Sequence, residues 1–316
     1  MRYAQVRPSC RKNFEPMKTL LLMLALLACL GFSTCFAQPE PRQPPRITAF
    51  PSGAKTLKNL EYGRVGDRAM LLDLYLPEKS EKRLPLIIWV HGGAWMAGSK
   101  DGPSPALRFV SDGYAVAQVG YRLSQEARFP AQIQDCKAAV RWLRANADKY
   151  SFDTNRFVAW GASAGGHLVA LLGTSGGVPD LEGAVNDLKT SSRVQAVVDW
   201  FGPTDFLHIG EPESDLRHNA SDSPESKLIG GTLLEHKDLA AKASPITYVS
   251  KEAPPFLIMH GDKDRTVPFD QSDRFYQALK KAGVDATFVP MKGAGHGFGG
   301  PSAIEPVREF LSRCLR

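Results

Sequence analysis

Six short and nearly continuous apolar runs recur along the chain: LPLIIWV at 84–90, YAVAQVGY at 114–121, RFVAWG at 156–161, VQAVVDW at 194–200, PFLIMHG at 255–261 and DATFVP at 285–290. A strand covered on both faces reads this way, because polar alternation has no purpose where neither face meets water. The segments between them carry helical periodicity, notably 129–147 through Ile133, Val140 and Leu143, and 269–282 through Phe275 and Leu279. Parallel strands joined by right-handed helical crossovers put helices on both faces of one sheet, so the pattern predicts a doubly wound α/β fold. Residues 58–75, with Met70, Leu71, Leu72 and Leu74 leading to Leu76 and Pro77, add an antiparallel pair at one edge and bring the expected sheet to about eight strands. After the sixth strand, residues 206–243 carry acids, Pro and Gly without a buried run, which predicts a lid-like excursion of short helices over the carboxyl edge of the sheet.

Of the 316 residues, 43% are hydrophobic and 23% charged, which excludes disorder, a collagenous chain and a multispanning membrane protein. A formal charge of +6 would suit a nucleic-acid partner, but Arg2, Arg7, Arg11, Lys12 and Lys18 against Glu15 alone put most of it in residues 1–37. No basic block with interleaved aromatics follows, so no nucleic-acid partner is expected. Residues 20–30 (LLLMLALLACL) follow Lys18 and are too few to cross a bilayer; they read as a secretory signal, and no stable membrane span is expected. Met17 is an alternative start, Ala37 the expected end of a signal peptide over 1–37, and lipoprotein processing at Cys29 the rival, so the product would be secreted or periplasmic. Pro-rich residues 38–56 read as a flexible linker and 57–316 as a single domain. Removal of Cys10, Cys29 and Cys35 leaves Cys136 and Cys314, each on an apolar helical face; they read as buried thiols, and export would also permit a disulfide between them.

Chemistry concentrates in loops after the predicted strands. Gly161-Ala162-Ser163-Ala164-Gly165-Gly166 joins a strand directly to a helix, and glycines two positions either side of Ser163 let so tight a turn pass without side-chain collision. A serine thrust out of such a turn is a candidate nucleophile, which needs a base and a group to orient that base. His296, in the flexible GAGHGF loop at 293–298, is the candidate base. Asp264 is the candidate orienting acid, in the loop after the 255–261 run, whereas Asp262 is placed to stabilise the turn itself; Asp199 and Asp205 are weaker alternatives. His208, His218 and His236 in the excursion read as solvated, His167 as a packing group and His260 as buried beside the site. His91-Gly92-Gly93-Ala94-Trp95 follows the first apolar run, and its unobstructed Gly92 and Gly93 amides, with that of Ala164, are candidate donors to an oxyanion. His91 is expected to hold that loop. Trp95 either packs beneath the loop or walls a pocket; Tyr121, Trp200 and Phe298 are further candidate lining residues, and Arg122 either supports the oxyanion loop or is a surface charge. No His-Glu-x-x-His occurs and His260-x-Asp262-x-Asp264 is accounted for by the acid loop, so neither metal nor cofactor is expected.

The chain resembles an α/β-hydrolase of the carboxylesterase type over residues 58–315, through HGGAW at 91–95, GASAGGH at 161–167, HGDKDRTVP at 260–268 and GAGHGF at 293–298. The order nucleophile, acid, histidine is the order that family uses. Within it the chain is most similar to secreted esterases acting on acetyl or feruloyl decorations of xylan, and more distantly to hormone-sensitive-lipase-like esterases, from which Ala94-Trp95 departs where a third glycine is usual. The resemblance implies Ser163, Asp264 and His296 as catalytic residues, Gly92, Gly93 and Ala164 as oxyanion donors, no cofactor, and a small-molecule or polymer-linked short-chain, acetyl or feruloyl ester as substrate. Lipase or aromatic polyester hydrolase, exopeptidase or amide hydrolase, and a noncatalytic binding module are the competing readings.

Overall fold

The computed structural model describes residues 53–186, 188–210 and 214–315. The expected signal peptide, Met17, Cys29 and nearly all of the linker lie outside the described residues, and among those described no helix is long and apolar enough to cross a membrane.

The chain opens with a hairpin, β1 (Lys55–Val65) and β2 (Arg68–Leu76), so the first strand starts just inside the segment expected to be linker. Then follow β3 (Leu84–Val90), β4 (Ala115–Val119), α1 (Ala131–Ala145), α2 (Ala147–Tyr150), β5 (Phe152–Ala162), α3 (Ala164–Thr174), α4 (Pro179–Glu182) and β6 (Ala196–Trp200). The insertion after β6 carries α5 (Pro224–Ile229) and α6 (Lys237–Ala243), and β7 (Phe256–Gly261), α7 (Asp270–Lys281), β8 (Ala286–Met291) and α8 (Pro301–Cys314) complete the fold. The eight strands lie in the order β1-β2-β4-β3-β5-β6-β7-β8, antiparallel at β1–β2 and β2–β4 and parallel from β4 onward. From β3 the chain crosses to β4 on one side and then returns to β5 on the other. Loops leaving β3 and β5 therefore diverge, and open α/β sheets bind ligands in the crevice at such a point.

Two apolar layers sandwich the sheet. Leu86, Ile88 and Val90 of β3 face one layer with Ile133, Leu143, Leu168, Leu172, Phe275 and Leu279, so α1, α3 and α7 cover that side. Ile87 and Trp89 alternate onto the other, with Phe109, Trp160, Val307, Phe310 and Leu311. Each fully buried Leu, Ile or Val contributes about 1.5–3 kcal/mol of transfer free energy, which is why both faces read as apolar in the sequence. The outer strand β8 is only half buried, unlike the central four. Cys136 belongs to the first layer and Cys314 packs against the second, where it is partly exposed; both are free, and the sheet between them rules out the permitted disulfide.

The insertion is helical, as its composition suggested. Ser223 caps α5 by accepting from the Ser226 amide at 3.0 Å, Pro224 fills the first turn, and Gly230 ends the helix at φ 87°. Among the described residues, the large apolar side chains left exposed are Leu207, Leu216, Leu234 and Leu239, all of them in this insertion.

Candidate active site

At the end of β5 the backbone reverses into α3 through Ser163, held at φ 56° and ψ −122°. A non-glycine residue there costs on the order of 1–3 kcal/mol, a strain that persists only when the surroundings impose it. They do so by close approach: a Cβ on Gly165 would stand 2.1 Å from the Val90 carbonyl oxygen, and one on Gly161 would stand 2.3 Å from that of Gly165. The Ser163 amide donates to the Trp200 carbonyl at 2.8 Å, tying the turn to β6. Amides in the first turn of α3, Ala164 among them, have no intrahelical acceptor.

The Ser163 hydroxyl donates to His296 Nε2 at 2.9 Å, and His296 Nδ1–H donates to Asp264 Oδ2 at 2.7 Å. Residues 163, 264 and 296 thus meet across three loops at one rim of the sheet. Asp264 also accepts from the Thr266 and Val267 amides at 2.8 and 3.0 Å. A further donor is His260, completely buried, whose Nε2 lies 3.1 Å from Asp264 Oδ2 and 3.0 Å from the Val267 carbonyl oxygen. Since a carbonyl can only accept, that nitrogen carries the proton, and His260 Nδ1 accepts from the Ser272 hydroxyl at 2.7 Å. Burial pushes the Asp264 carboxyl up, but the hydrogen bonds from His260 and His296 outweigh it and hold the group far below the usual carboxylate range. Asp262 accepts from the Gly293 amide at 2.7 Å, fastening the loop that carries His296.

The loop after β3 passes directly over Ser163: a Cβ on Gly92 would lie 2.7 Å from the Ala162 carbonyl oxygen and 3.4 Å from Ser163 Cβ. Gly93, Ala94 and Trp95 follow at φ 112°, 55° and 56°, a left-handed run closed by the Met96 and Ala97 amides donating to the Gly93 carbonyl. Among the described residues neither the Gly92 nor the Gly93 amide donates to a backbone acceptor. His91 is stacked on Tyr121 with ring centroids 4.3 Å apart and donates through Nδ1 to the Gly92 carbonyl at 2.7 Å. Burial lowers its pKa, which keeps it neutral.

The structure revises several expected positions. Trp95 is buried beneath its loop, where Nε1–H donates to His167 Nδ1 at 3.2 Å and the ring meets Phe206 edge-on, so it walls no pocket. Tyr121 is likewise buried, its hydroxyl donating to the His91 carbonyl at 3.0 Å; it supports the loop rather than flooring a site. Arg122 neither supports that loop nor stands free, because it pairs with buried Asp135 at 2.7 Å. His218 is buried within 3.0 Å of Ser214 Oγ and 3.1 Å of Glu225, not solvated. Trp200 is buried against Met259, and Phe298 packs on it at 4.9 Å between centroids. Phe201, next to Trp200 in the stretch 200–205, stands with its ring edge-on to His296 at 4.9 Å. Its position depends on φ 46° at the end of β6, which no local residue pattern announces. Asp199 is wholly buried, with Oδ1 accepting from the Gly202 amide at 3.0 Å and Oδ2 unpartnered, and burial raises its pKa to about 7. Asp205 pairs with His208 at 2.7 Å, away from the relay. Among the described residues no cluster of His, Cys, Asp or Glu is arranged to hold a metal ion.

Esterase LipC of Mycobacterium tuberculosis is 35% identical over 236 residues, 73% of this chain and 58% of its own length. The chain thus spans about three-fifths of that curated relative. Among solved structures, a truncated carbohydrate esterase from gut microbiota superimposes with a TM-score of 0.75 at 36% identity, covering 82% of this chain and 95% of that one. Esterase Est2 of Thermogutta terrifontis, with butyrate bound, gives 0.68 at 29% identity over 83% of this chain and 94% of its own, and has also been solved phosphonylated by sarin. The family model BD-FAE matches residues 72–279, from β2 through the Ser163 turn into α7. It stops before His296, which the fold itself brings back to Ser163. With most of the sheet inside that match, the chain belongs to the BD-FAE family of α/β-hydrolases.

Proposed function

We propose that the chain is a serine carboxylesterase working through an acyl-enzyme. The observation that carries the reading is the unbroken relay from the Ser163 hydroxyl through His296 to Asp264 at 2.9 and 2.7 Å. With Nδ1–H committed to the carboxylate, Nε2 is left basic and faces the hydroxyl. It takes the proton as Ser163 Oγ attacks the ester carbonyl, and the amides of Gly92, Gly93 and Ala164 receive the oxyanion. His296 then protonates the departing alcohol, and a water activated by the same nitrogen clears the acyl group. Asp264 stays ionised throughout and stabilises the imidazolium. Each oxyanion donor of this kind is worth about 10²–10³ in turnover.

The gut carbohydrate esterase and the butyrate-bound Est2 support short-chain or carbohydrate-linked acyl esters as substrates. The apolar run at 20–30 after Lys18 supports action outside the cytoplasm, with Gln38 as the first residue of the mature protein; amino-terminal sequencing of the exported product checks that. The enzymatic test is Ser163→Ala. It is expected to abolish hydrolysis of p-nitrophenyl acetate and covalent labelling by a fluorophosphonate while circular dichroism stays unchanged. Undiminished turnover in that variant would overturn the mechanism.

A further inference from the structure

Beside the Ser163 turn, but outside it, lies a cavity of about 510 Å³ walled by three loops: Met96 of the oxyanion loop, Gln125 and Arg128 after β4, and Ser226, Lys227 and Gly230 of the insertion. That volume suits a small molecule or a sizeable fragment of one. Its wall is joined to the catalytic rim, because four residues of chain separate Gly92, which touches Ser163, from Met96, and four residues span at most about 14 Å. The turn at Gly93 shortens this further. The Gln125 side chain donates to the Met96 carbonyl at 2.9 Å, and the Ser124 amide to that of Trp95 at 2.8 Å, so the β4 loop and the oxyanion loop form one continuous surface.

The lining is electrostatically one-sided. Arg128 and Lys227 face it, and among the described residues no carboxylate lines it and neither cation has an ion-pair partner. Elsewhere cations are spent on acids, as in Arg122 on Asp135 and Lys137 on Glu182. Arg128 packs against the end of α5, since a Cβ at Gly230 would fall 2.4 Å from Arg128 Cδ and 2.6 Å from its guanidinium. Ser226 also belongs to the wall; it is 2% exposed, and among the described residues its Oγ has no hydrogen-bond partner.

We infer that this cavity is a subsite for a carboxylate carried by the ester substrate, with Arg128 and Lys227 receiving the charge. The guanidinium suits a planar carboxylate in two-point contact. The inference rests on the esterase reading and names its specificity: esters bearing a remote acid group in preference to neutral ones of equal size.

Two matched pairs test it. Charge on the acyl side is read by mono-p-nitrophenyl glutarate against p-nitrophenyl valerate, and charge on the alcohol side by 4-(acetoxymethyl)benzoate against 4-(acetoxymethyl)toluene. In one pair the anionic member should show a kcat/KM about tenfold higher at low salt, a preference lost in Arg128→Gln/Lys227→Gln and eroded by 0.5 M salt. Lys280→Gln, an exposed cation on α7, should retain it. Equal kcat/KM within both pairs, or a preference that survives in the double variant, overturns the subsite. Failure of all four esters to turn over in the parent protein would instead overturn the esterase reading, so the two failures are distinguishable.

Discussion

The rim that carries Ser163 and the insertion after β6 follow opposite building rules. At the rim, β3, β5, β6 and β7 end buried, glycines sit where a single Cβ would strike backbone, and each polar group of the relay has named partners. In the insertion, leucines stand exposed, and Lys227 faces a cavity that no carboxylate among the described residues lines. The first region is over-determined, so its chemistry is fixed by the same packing that holds the fold. The second is under-determined, and an occupant can change there without disturbing the sheet. Reaction and selectivity are in this way placed on separate physical footings.

Four measurements would break or sharpen that contrast. The largest effect belongs to Asp264→Asn, which keeps the shape but misdirects the His296 proton; kcat should fall about 10³–10⁴-fold, against a few-fold for Asp262→Asn, which only loosens the Gly293 tether. A deeper loss at Asp262 would relocate the acid. Next is the pH dependence contributed by Asp199. Its folded pKa of about 7 is raised above the unfolded value, so its neutral form is native-compatible at low pH and stability is lost as pH rises through about 7. A three-unit shift corresponds to at most about 4 kcal/mol, and urea titrations of Asp199→Asn from pH 4 to 8 should show a flatter profile than the parent. Third, His260→Leu removes a buried donor from Asp264 and should lower kcat about 10–100-fold with KM nearly unchanged. The depressed Asp264 carboxyl contributes stability above its unfolded pKa that fades as pH falls toward its folded one; in this variant the fading should begin at higher pH. The smallest effect is expected at Leu234→Ser, on a side chain 58% exposed, where stability should move by no more than about 0.5 kcal/mol. A loss of several kcal/mol there would mean the insertion is held as tightly as the rim.

What the sequence disclosed follows the same division. Strands buried on both faces wrote themselves as apolar runs, and the glycines around Ser163 announced their turn because only glycine tolerates such contact. Asp264 and His296 could be singled out because short loops after buried strands leave a side chain few places to point. Side-chain direction within a left-handed turn was not legible. Trp95 looked as suited to a pocket as to the interior until φ 56° sent it inward. His218 read as solvated because Glu225, its buried neighbour, is seven positions away on a different turn of chain. Cys136 and Cys314 sit on similar apolar helical faces, and nothing local told that those faces cover opposite sides of the sheet.

One contact has an acid-side consequence. The Trp95 indole is held by a lone pair on His167 Nδ1, and the far nitrogen of that ring donates to the Ala243 carbonyl at 2.7 Å, at the close of the insertion. Burial lowers the His167 pKa to about 4, so the lone pair survives mild acidity and vanishes only below it. A proton arriving there would set two N–H groups face to face under the cradle for the oxyanion. Strongly acidic surroundings would therefore quiet this protein by unseating the floor on which the negative charge is received.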